Sequence, residues 1–247
     1  MRALPLIALA SSALLPLSSQ ALELNDQFAL VITPKVVSDY RSSGISQTLG
    51  DPAAQLDLML SHASGAYLGI WATNVEYGHD WENDDDYGTR HEIDYYAGYY
   101  WQLSDAISLD AMYNKYSTPG ESQFNGSEAI LTLDVYGLYL GGKYSLDTEN
   151  DKLNSFIGYH TQLPWELGLD VRFENVDYKD DMFFNRDYSQ AREDYNNWEI
   201  GLTRELVGVT WGLSYIDTDL SDAECESFSG YADLCGATLV ASASKTF

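Results

Sequence analysis

The sequence predicts an all-β protein: a closed, antiparallel, up-and-down transmembrane β-barrel of about 12 strands, with short periplasmic turns and longer extracellular loops. Segments in which apolar and polar residues alternate recur along the chain. The connections between these segments alternate between short and long. The last segment, Ala237–Phe247, ends on an aromatic residue. We therefore expect this strand to close the barrel and Phe247 to carry the terminal signal for the barrel-assembly machinery.

The first 21 residues fit a secretory signal peptide. Arg2 supplies a basic start, Leu4–Leu17 an apolar stretch, and Ser19–Ala21 a small-x-small cleavage site. A short membrane anchor is the alternative, but two prolines interrupt a stretch that is too short to span a bilayer. The sequence therefore predicts a signal peptide over residues 1–21 and a single barrel domain over residues 22–247.

The first half of the mature chain contains three regular strands. In the first, Leu56, Leu58 and Leu60 alternate with polar residues, and the next two follow over residues 92–102 and 107–114. Less regular strands are predicted near residues 27–37 and 66–77. Alternation of this kind places one apolar face against lipid or a core and the other face against water.

The second half continues the pattern through to the end of the sequence. Regular strands are predicted at residues 131–135, 165–174, 198–203 and 209–215, with less regular ones near residues 138–146 and 153–161. In the last strand we expect Leu239, Ala241 and Ala243 to face lipid, and the strand to pair with the first one near Phe28–Val37. Most Tyr and Trp residues of the outward face lie near strand ends, where amphipathic rings favour the headgroup layer. These residues are Tyr99, Trp101, Tyr113, Trp165, Trp198, Trp211 and Tyr215.

The charge of the chain excludes one class of partner. With 13 Lys and Arg against 38 Asp and Glu, the chain repels nucleic acid. No apolar segment after residue 21 reaches about 18 residues, so no transmembrane helix is predicted. No cofactor or metal site is predicted either, and no motif indicates an oligomeric state. In an oxidising compartment we expect Cys225 and Cys235 to form a loop disulfide.

Several segments resemble the TorF-like family of proteobacterial outer-membrane porins. They are Val37–Gln47 (VSDYRSSGISQ), Asp51–Gln55 (DPAAQ), Gly65–Val75 (GAYLGIWATNV), Glu92–Tyr99 (EIDYYAGY), Leu213–Asp219 (LSYIDTD) and Ser242–Phe247 (SASKTF). Together they run through nearly the whole mature chain. The resemblance implies a barrel in the outer membrane of a Gram-negative bacterium, with lipid around it and a pore through it.

The polar face of the strands supplies candidate pore-lining residues. It carries mainly carboxylates, with two basic residues among them, and a lumen of this kind concentrates cations. We therefore predict passive diffusion of small hydrophilic solutes with a preference for cations. The candidates are Asp57, Glu92, Asp94, Asp110, Asp134, Lys143, Glu166, Asp170, Arg172, Glu174 and Glu199.

Two alternatives to a pore stay open. A narrow or plugged barrel could act as a surface receptor or adhesin through its loops, since twelve strands lie between the filled small barrels and the open large ones. An outer-membrane hydrolase would need a nucleophile, a base and an orienting group, and His160 is the candidate base. We predict that the chain is not an enzyme. Of the loops, we expect the acidic 79–86 segment to be solvated and the partly apolar 179–186 segment to fold inward.

Overall fold

A computed structural model describes residues 21–80, 85–147 and 152–247. The predicted signal peptide lies outside the described residues except for Ala21. Among the residues described, none of the helices combines the length and apolar composition required to cross a membrane.

Twelve strands form a closed antiparallel barrel in which each strand pairs with its neighbours in sequence, and the last pairs with the first. This confirms the predicted fold class. The strands are β1 Phe28–Val37, β2 Ala53–His62, β3 Ala66–Asn74, β4 His91–Ser104, β5 Ile107–Ser117, β6 Gly126–Val135, β7 Leu138–Ser145, β8 Leu153–Leu163, β9 Leu167–Asp177, β10 Asp194–Leu206, β11 Val209–Thr218 and β12 Thr238–Ser244.

The barrel closes where β12 meets β1. Ser242 to Ser244 pair with Val37 to Lys35, and the residues that follow continue the contact. The amide of Phe247 donates to the carbonyl of Ile32 at 2.9 Å, and the amide of Ile32 donates back to Phe247 at 3.1 Å. The last residue of the sequence thus takes part in the closing pair, so neither edge of the sheet is left unpaired over this stretch.

The connections sort by length between the two ends of the barrel. At one end, here called the turn end, the connections are residues 63–65, 105–106, 136–137, 164–166 and 207–208. At the other, the loop end, they are residues 38–52, 75–90, 118–125, 146–152, 178–193 and 219–237. We call 38–52 the first long loop, 178–193 the fifth and 219–237 the last. The last contains helix α1, Asp222–Ser229, whose N-terminus is closed by a capping box of Ser221 and Glu224.

The outer surface of the barrel is apolar. On every strand the large side chains of one parity are exposed, among them Leu58 on β2, Leu131 on β6, Ile157 on β8 and Leu239 on β12. The opposite parity points inward, where Met59, Tyr67, Tyr96 and Met112 form a buried cluster. The exposure of Leu239 agrees with the orientation predicted for β12. A soluble barrel would bury the first set, whereas a barrel in lipid exposes it.

A second hydrophobic cluster lies at the loop end, among the loops. The fully buried Phe183 of the fifth long loop packs with Val176, Tyr195 and Leu220, and the first long loop adds Ile45. The disulfide between Cys225 and Cys235 confirms the predicted pairing and is itself buried in this cluster. We call this assembly of three loops the loop-end cap.

Candidate functional site

The barrel interior is the candidate functional site, since ten of the eleven predicted pore-lining residues lie on its inward-facing positions. These are Asp57, Glu92, Asp94, Asp110, Asp134, Lys143, Asp170, Arg172, Glu174 and Glu199. The eleventh, Glu166, lies apart from them in the 3₁₀ turn Pro164–Glu166, where it is exposed at the turn end. The predicted strand begins at Trp165, two residues too early, because β9 begins only at Leu167. The role of the ten in lining a pore stays a prediction.

The strands also bring inward charged residues that were not predicted from the sequence, among them Lys35 and Glu128. Lys35 on β1 and Glu128 on β6 share the inward parity, and Glu128 is only 8% exposed. Lys35 was missed because Pro34 interrupts the pattern of the first strand. Glu128 was missed because it precedes the apolar run from which β6 was recognised.

Tyrosines cross the interior wall from strand to strand. Tyr67 on β3 lies over Gly98, its cross-strand partner on β4, and donates to Asp110 on β5 at 2.8 and 3.0 Å. A Cβ added to Gly98 would stand 2.3 Å from the phenol oxygen of Tyr67. Only glycine therefore leaves room for the ring to pass over the intervening strand.

The same arrangement occurs twice more. Tyr96 on β4 passes over Gly69 on β3 to reach Asp57 on β2 at 2.6 Å. Tyr139 on β7 passes over Gly158 on β8 to reach Asp170 on β9 at 3.1 Å. The register is also the same each time. In the strand that carries each aspartate, the residue opposite the glycine is Met112, Met59 or Arg172. The aspartate lies two residues before it. Isolated inward glycines in regular strands were the sequence signal for this close approach.

A second group of interior carboxylates is held by basic side chains. Glu174 on β9 is 2% exposed and lies 3.2 Å from Arg172 and 3.6 Å from Lys143. Two amides complete its shell, donated by Asn154 at 2.9 Å and Asn197 at 3.1 Å. Such a network satisfies the charge of a buried carboxylate and ties β7, β8, β9 and β10 together.

Two further carboxylates on β6 have basic partners. Lys152 lies 3.8 Å from Glu128. His160 on β8 lies 2.7 Å from Asp134, whose other oxygen accepts from the amide of Gly137 at 3.1 Å. The His160–Asp134 pair supplies two of the three groups that a hydrolase would need.

Glu92 and Asp94 on β4 are held by neutral donors instead. Tyr40 of the first long loop donates to Glu92 at 3.4 Å, and Tyr77 of the next loop donates to its other oxygen at 3.3 Å. Asn114 donates to Asp94 at 2.8 Å. Burial, and then the charge of Glu92, raise the pKa of the Tyr40 phenol well above its usual range, so this phenol stays protonated and donating.

The first long loop crosses the mouth of the barrel. From Tyr40 beside β4 the chain runs to Ser43, whose carbonyl accepts from Tyr195 on β10 at 2.8 Å. The Ser43 hydroxyl accepts from Asn154 on β8 at 3.0 Å. Gly44 follows with φ +87°, and an added Cβ there would lie 2.6 Å from Thr218 on β11. The loop is thus wedged between opposite walls, and it narrows the opening at the loop end.

The first long loop is internally braced. Asp39 is 6% exposed and accepts from Arg41 at 2.7 Å and from Ser46 at 2.6 Å. Arg41 also donates to the carbonyl of Gly236, and the amide of Ser46 donates to the carbonyl of Leu234. The last long loop therefore holds the first one in place. The predicted inward fold of residues 179–186 contributes Phe183 to the cap, but the segment wedged across the mouth is the first long loop.

The predicted acidic loop, residues 79–86, is described only in part, because residues 81–84 lie outside the described residues. His79 lies 3.3 Å from Asp86. In the ranges 21–80, 85–147 and 152–247, no group of three or more His, Cys, Asp or Glu is arranged to hold a metal ion.

A protein-family model described as a bacterial protein of unknown function (Gcw_chp) matches residues 25–247. The chain belongs to this family. The model is not described as TorF-like, so that part of the resemblance stays a prediction. No curated protein matches this chain.

Solved structures with the same fold include two that match over almost their whole length. The KdgM porin superposes with a TM-score of 0.54 at 9% sequence identity, and the match covers 88% of this chain and 99% of the porin chain. LpxR from Salmonella typhimurium gives a TM-score of 0.50 at 8% identity, with coverages of 88% and 99%. At these identities the likeness is one of fold.

Proposed function

We propose that this protein is an outer-membrane porin that allows passive diffusion of small hydrophilic solutes and prefers cations. The observation that carries the proposal is the charge of the barrel interior. In the described residues ten inward carboxylates face four inward Lys and Arg side chains, counting Lys152 where it enters β8. The carboxylates are Asp57, Glu92, Asp94, Asp110, Glu128, Asp134, Asp170, Glu174, Glu199 and Glu205; the cations are Lys35, Lys143, Lys152 and Arg172. An excess of fixed negative charge in a low-dielectric passage raises the local concentration of cations.

The location in the outer membrane is supported by the outer surface and by the fold. A closed barrel with an apolar exterior satisfies all its backbone hydrogen bonds between strands and can lie in hydrocarbon. The KdgM porin has the same fold and is named as a porin. Outer-membrane lipid is accordingly the proposed partner of the exterior, and barrel-assembly machinery the partner during insertion.

The first long loop limits the size of the solute. It connects β4 to β8 and β10 across the mouth through Tyr40 and Ser43. A passage narrowed in this way admits small solutes, with the carboxylates of β4 at its side.

Single-channel recording in planar bilayers under a potassium chloride gradient tests the proposal. We expect discrete conductance steps and a reversal potential of the sign that marks potassium preference. The double variant Glu92→Gln/Asp94→Asn should move the reversal potential toward zero. Asp187→Asn, which removes one charge from an exposed loop, is the matched control and should leave it in place. Chloride preference would contradict the proposed selectivity.

A closed barrel that acts through its loops is the second candidate. The observation that favours it is the loop-end cap, in which three loops pack around Phe183 and hold the first long loop across the mouth. Absence of conductance from a correctly folded, membrane-inserted barrel would favour this receptor-like function over a porin.

A further inference from the structure

The five turns at the turn end differ sharply in what they expose. Two of them, residues 63–65 and 105–106, carry Ser64 and Asp105 at their tips. The other three, which follow one another around the barrel, expose large apolar or aromatic side chains, and the middle turn also exposes Glu166 beside its tryptophan. Tyr136 is 79% exposed, Trp165 82% and Val207 102%. We call these three residues the apolar half-rim.

The backbone at the apolar half-rim is strained. Tyr136, Trp165 and Val207 have φ values of 56°, 65° and 58°, in the left-handed region. An L-residue costs about 1–2 kcal/mol there, and a β-branched residue such as valine is a marked outlier. Two-residue hairpin turns normally place Asn, Asp or Gly at this position.

In the part of the chain that the structure describes, these side chains do not offset the strain by packing, because they project away from the barrel. Val207 is fully exposed, and Trp165 and Tyr136 bury about a fifth of their surface. An exposed apolar residue in a strained position favours a contact outside the chain.

The apolar half-rim is continuous with the apolar exterior of the barrel. Outward residues of β6 and β7 lead to Tyr136 without a polar interruption: Leu131, Leu133 and Val135 on one strand, Leu138 and Leu140 on the next. Leu163 and Leu167 flank the turn of Trp165 in the same way. On the opposite side the tips themselves are polar: Ser64 follows His62 of β2, and Asp105 follows Ser104 of β4, although Leu103 just before it is 61% exposed.

The charged residue on the outward face of β10 near Val207 is compatible with lipid. Arg204 is exposed on the outward face of β10, beside Trp211 of β11. An arginine stem can lie along apolar surface while its guanidinium reaches the headgroup phosphates.

We propose that the apolar half-rim is inserted into the phospholipid leaflet at the turn end, while the opposite half of the rim, with Ser64 and Asp105, stays in water. The barrel axis is then tilted toward the β6–β11 side. The occupant is lipid, because the half-rim extends a surface that already faces lipid in the proposed location. The inference rests on that membrane location.

Tryptophan fluorescence in vesicles tests this inference, with brominated acyl chains as quencher in the membrane and acrylamide as quencher in water. The emission of Trp165 is obtained as the difference between the protein and its Trp165→Phe variant, which changes only an exposed turn. Trp211, obtained in the same way from Trp211→Phe, reports on the lipid-facing exterior. Ser64→Trp in the Trp165→Phe background reports on the polar half of the rim.

We expect brominated lipid to quench Trp165 within about twofold of Trp211, as interfacial indoles require. We expect acrylamide to quench the tryptophan placed at Ser64 far more strongly. Equal acrylamide quenching at the two turns would overturn the inference, and so would shielding of Trp165 from both quenchers, which would mean a protein contact. If Trp211 also escapes the brominated lipid, the membrane location itself fails.

Discussion

The phenol of Tyr67 on β3 donates to both carboxylate oxygens of Asp110 on β5, two strands away, at 2.8 and 3.0 Å. The contact exists because the strand between them carries Gly98 at the crossing point. With three such crossings in the same register, the interior wall is braced diagonally by neutral donors. Carboxylates are thereby held inside the barrel without neutralising their charge.

The crossing predicts the effect of Gly98→Ala. The added methyl would stand 2.3 Å from the Tyr67 oxygen and 2.7 Å from the carbonyl oxygen of Ala111, so ring or backbone must shift. We expect a loss of about 1–3 kcal/mol in the free energy of unfolding, as for overpacked cores. Urea unfolding in detergent micelles measures it.

Two controls sharpen this measurement. Gly236→Ala places the same methyl in open space and should change little. In the Tyr67→Ala background, Gly98→Ala should cost less than in the parent, because part of its clash has been removed. Additive losses would contradict the crossing as the cause.

The barrel was predictable from sequence because it depends on local patterns. Alternation fixes which face of β4 carries Glu92 and Asp94, and loop lengths fix which ends meet. The inward glycines indicate a close approach, but the sequence does not predict which tyrosine makes it, because that depends on the register that sets Tyr67 opposite Gly98. The first long loop was likewise read only as a connection. Its inward course depends on Asp39, Arg41 and Ser43, whose partners are distant in sequence.

The buried disulfide predicts a loop-end cap that loosens without it. In Cys225→Ser/Cys235→Ser the last long loop gains freedom in the unfolded state, and a closed loop of this size contributes about 2–4 kcal/mol. Because the amide of Ser46 bonds to the carbonyl of Leu234, we expect faster hydrogen exchange in the first long loop. Unchanged exchange at Ser46, with β7 and β8 as internal reference, would show that the last loop does not hold the first.

Acidification should release the contact between the fifth and last long loops. Burial tends to raise the pKa of Asp219, but hydrogen bonds from Asn196 and from Arg192 outweigh it, so the pKa lies below its usual value. A carboxylate whose pKa is lower in the folded than in the unfolded state stabilises the fold at pH values above its unfolded pKa of about 4. This stabilisation is lost as the pH falls through the folded pKa. We expect faster hydrogen exchange around Asn196 only in that acidic range.

Arg192→Gln tests the cause of this acid response. The guanidinium of Arg192 lies 3.0 Å from Asp219 and 3.1 Å from Glu224. Without it the pKa of Asp219 should rise toward its usual value, and loosening should begin at a higher pH than in the parent. Carboxyl NMR titration of Asp219 measures the shift. An unchanged titration would assign the lowered pKa to Asn196 instead.

Glu174→Gln should both weaken the fold and reduce cation preference. The substitution keeps the shape of the side chain but leaves Lys143 and Arg172 without the carboxylate that lies between them. Arg172 depends on it further, since its Nε already has no hydrogen-bond partner. Removing one member of a buried ionic network costs about 3–5 kcal/mol, and we expect a loss of this order in the free energy of urea unfolding.

In bilayers the two freed cations should move the reversal potential of the Glu174→Gln variant toward that of chloride, while Asp187→Asn changes neither the stability nor the reversal potential. If stability falls and selectivity does not, Glu174 serves only to tie the strands together, and the ions pass elsewhere.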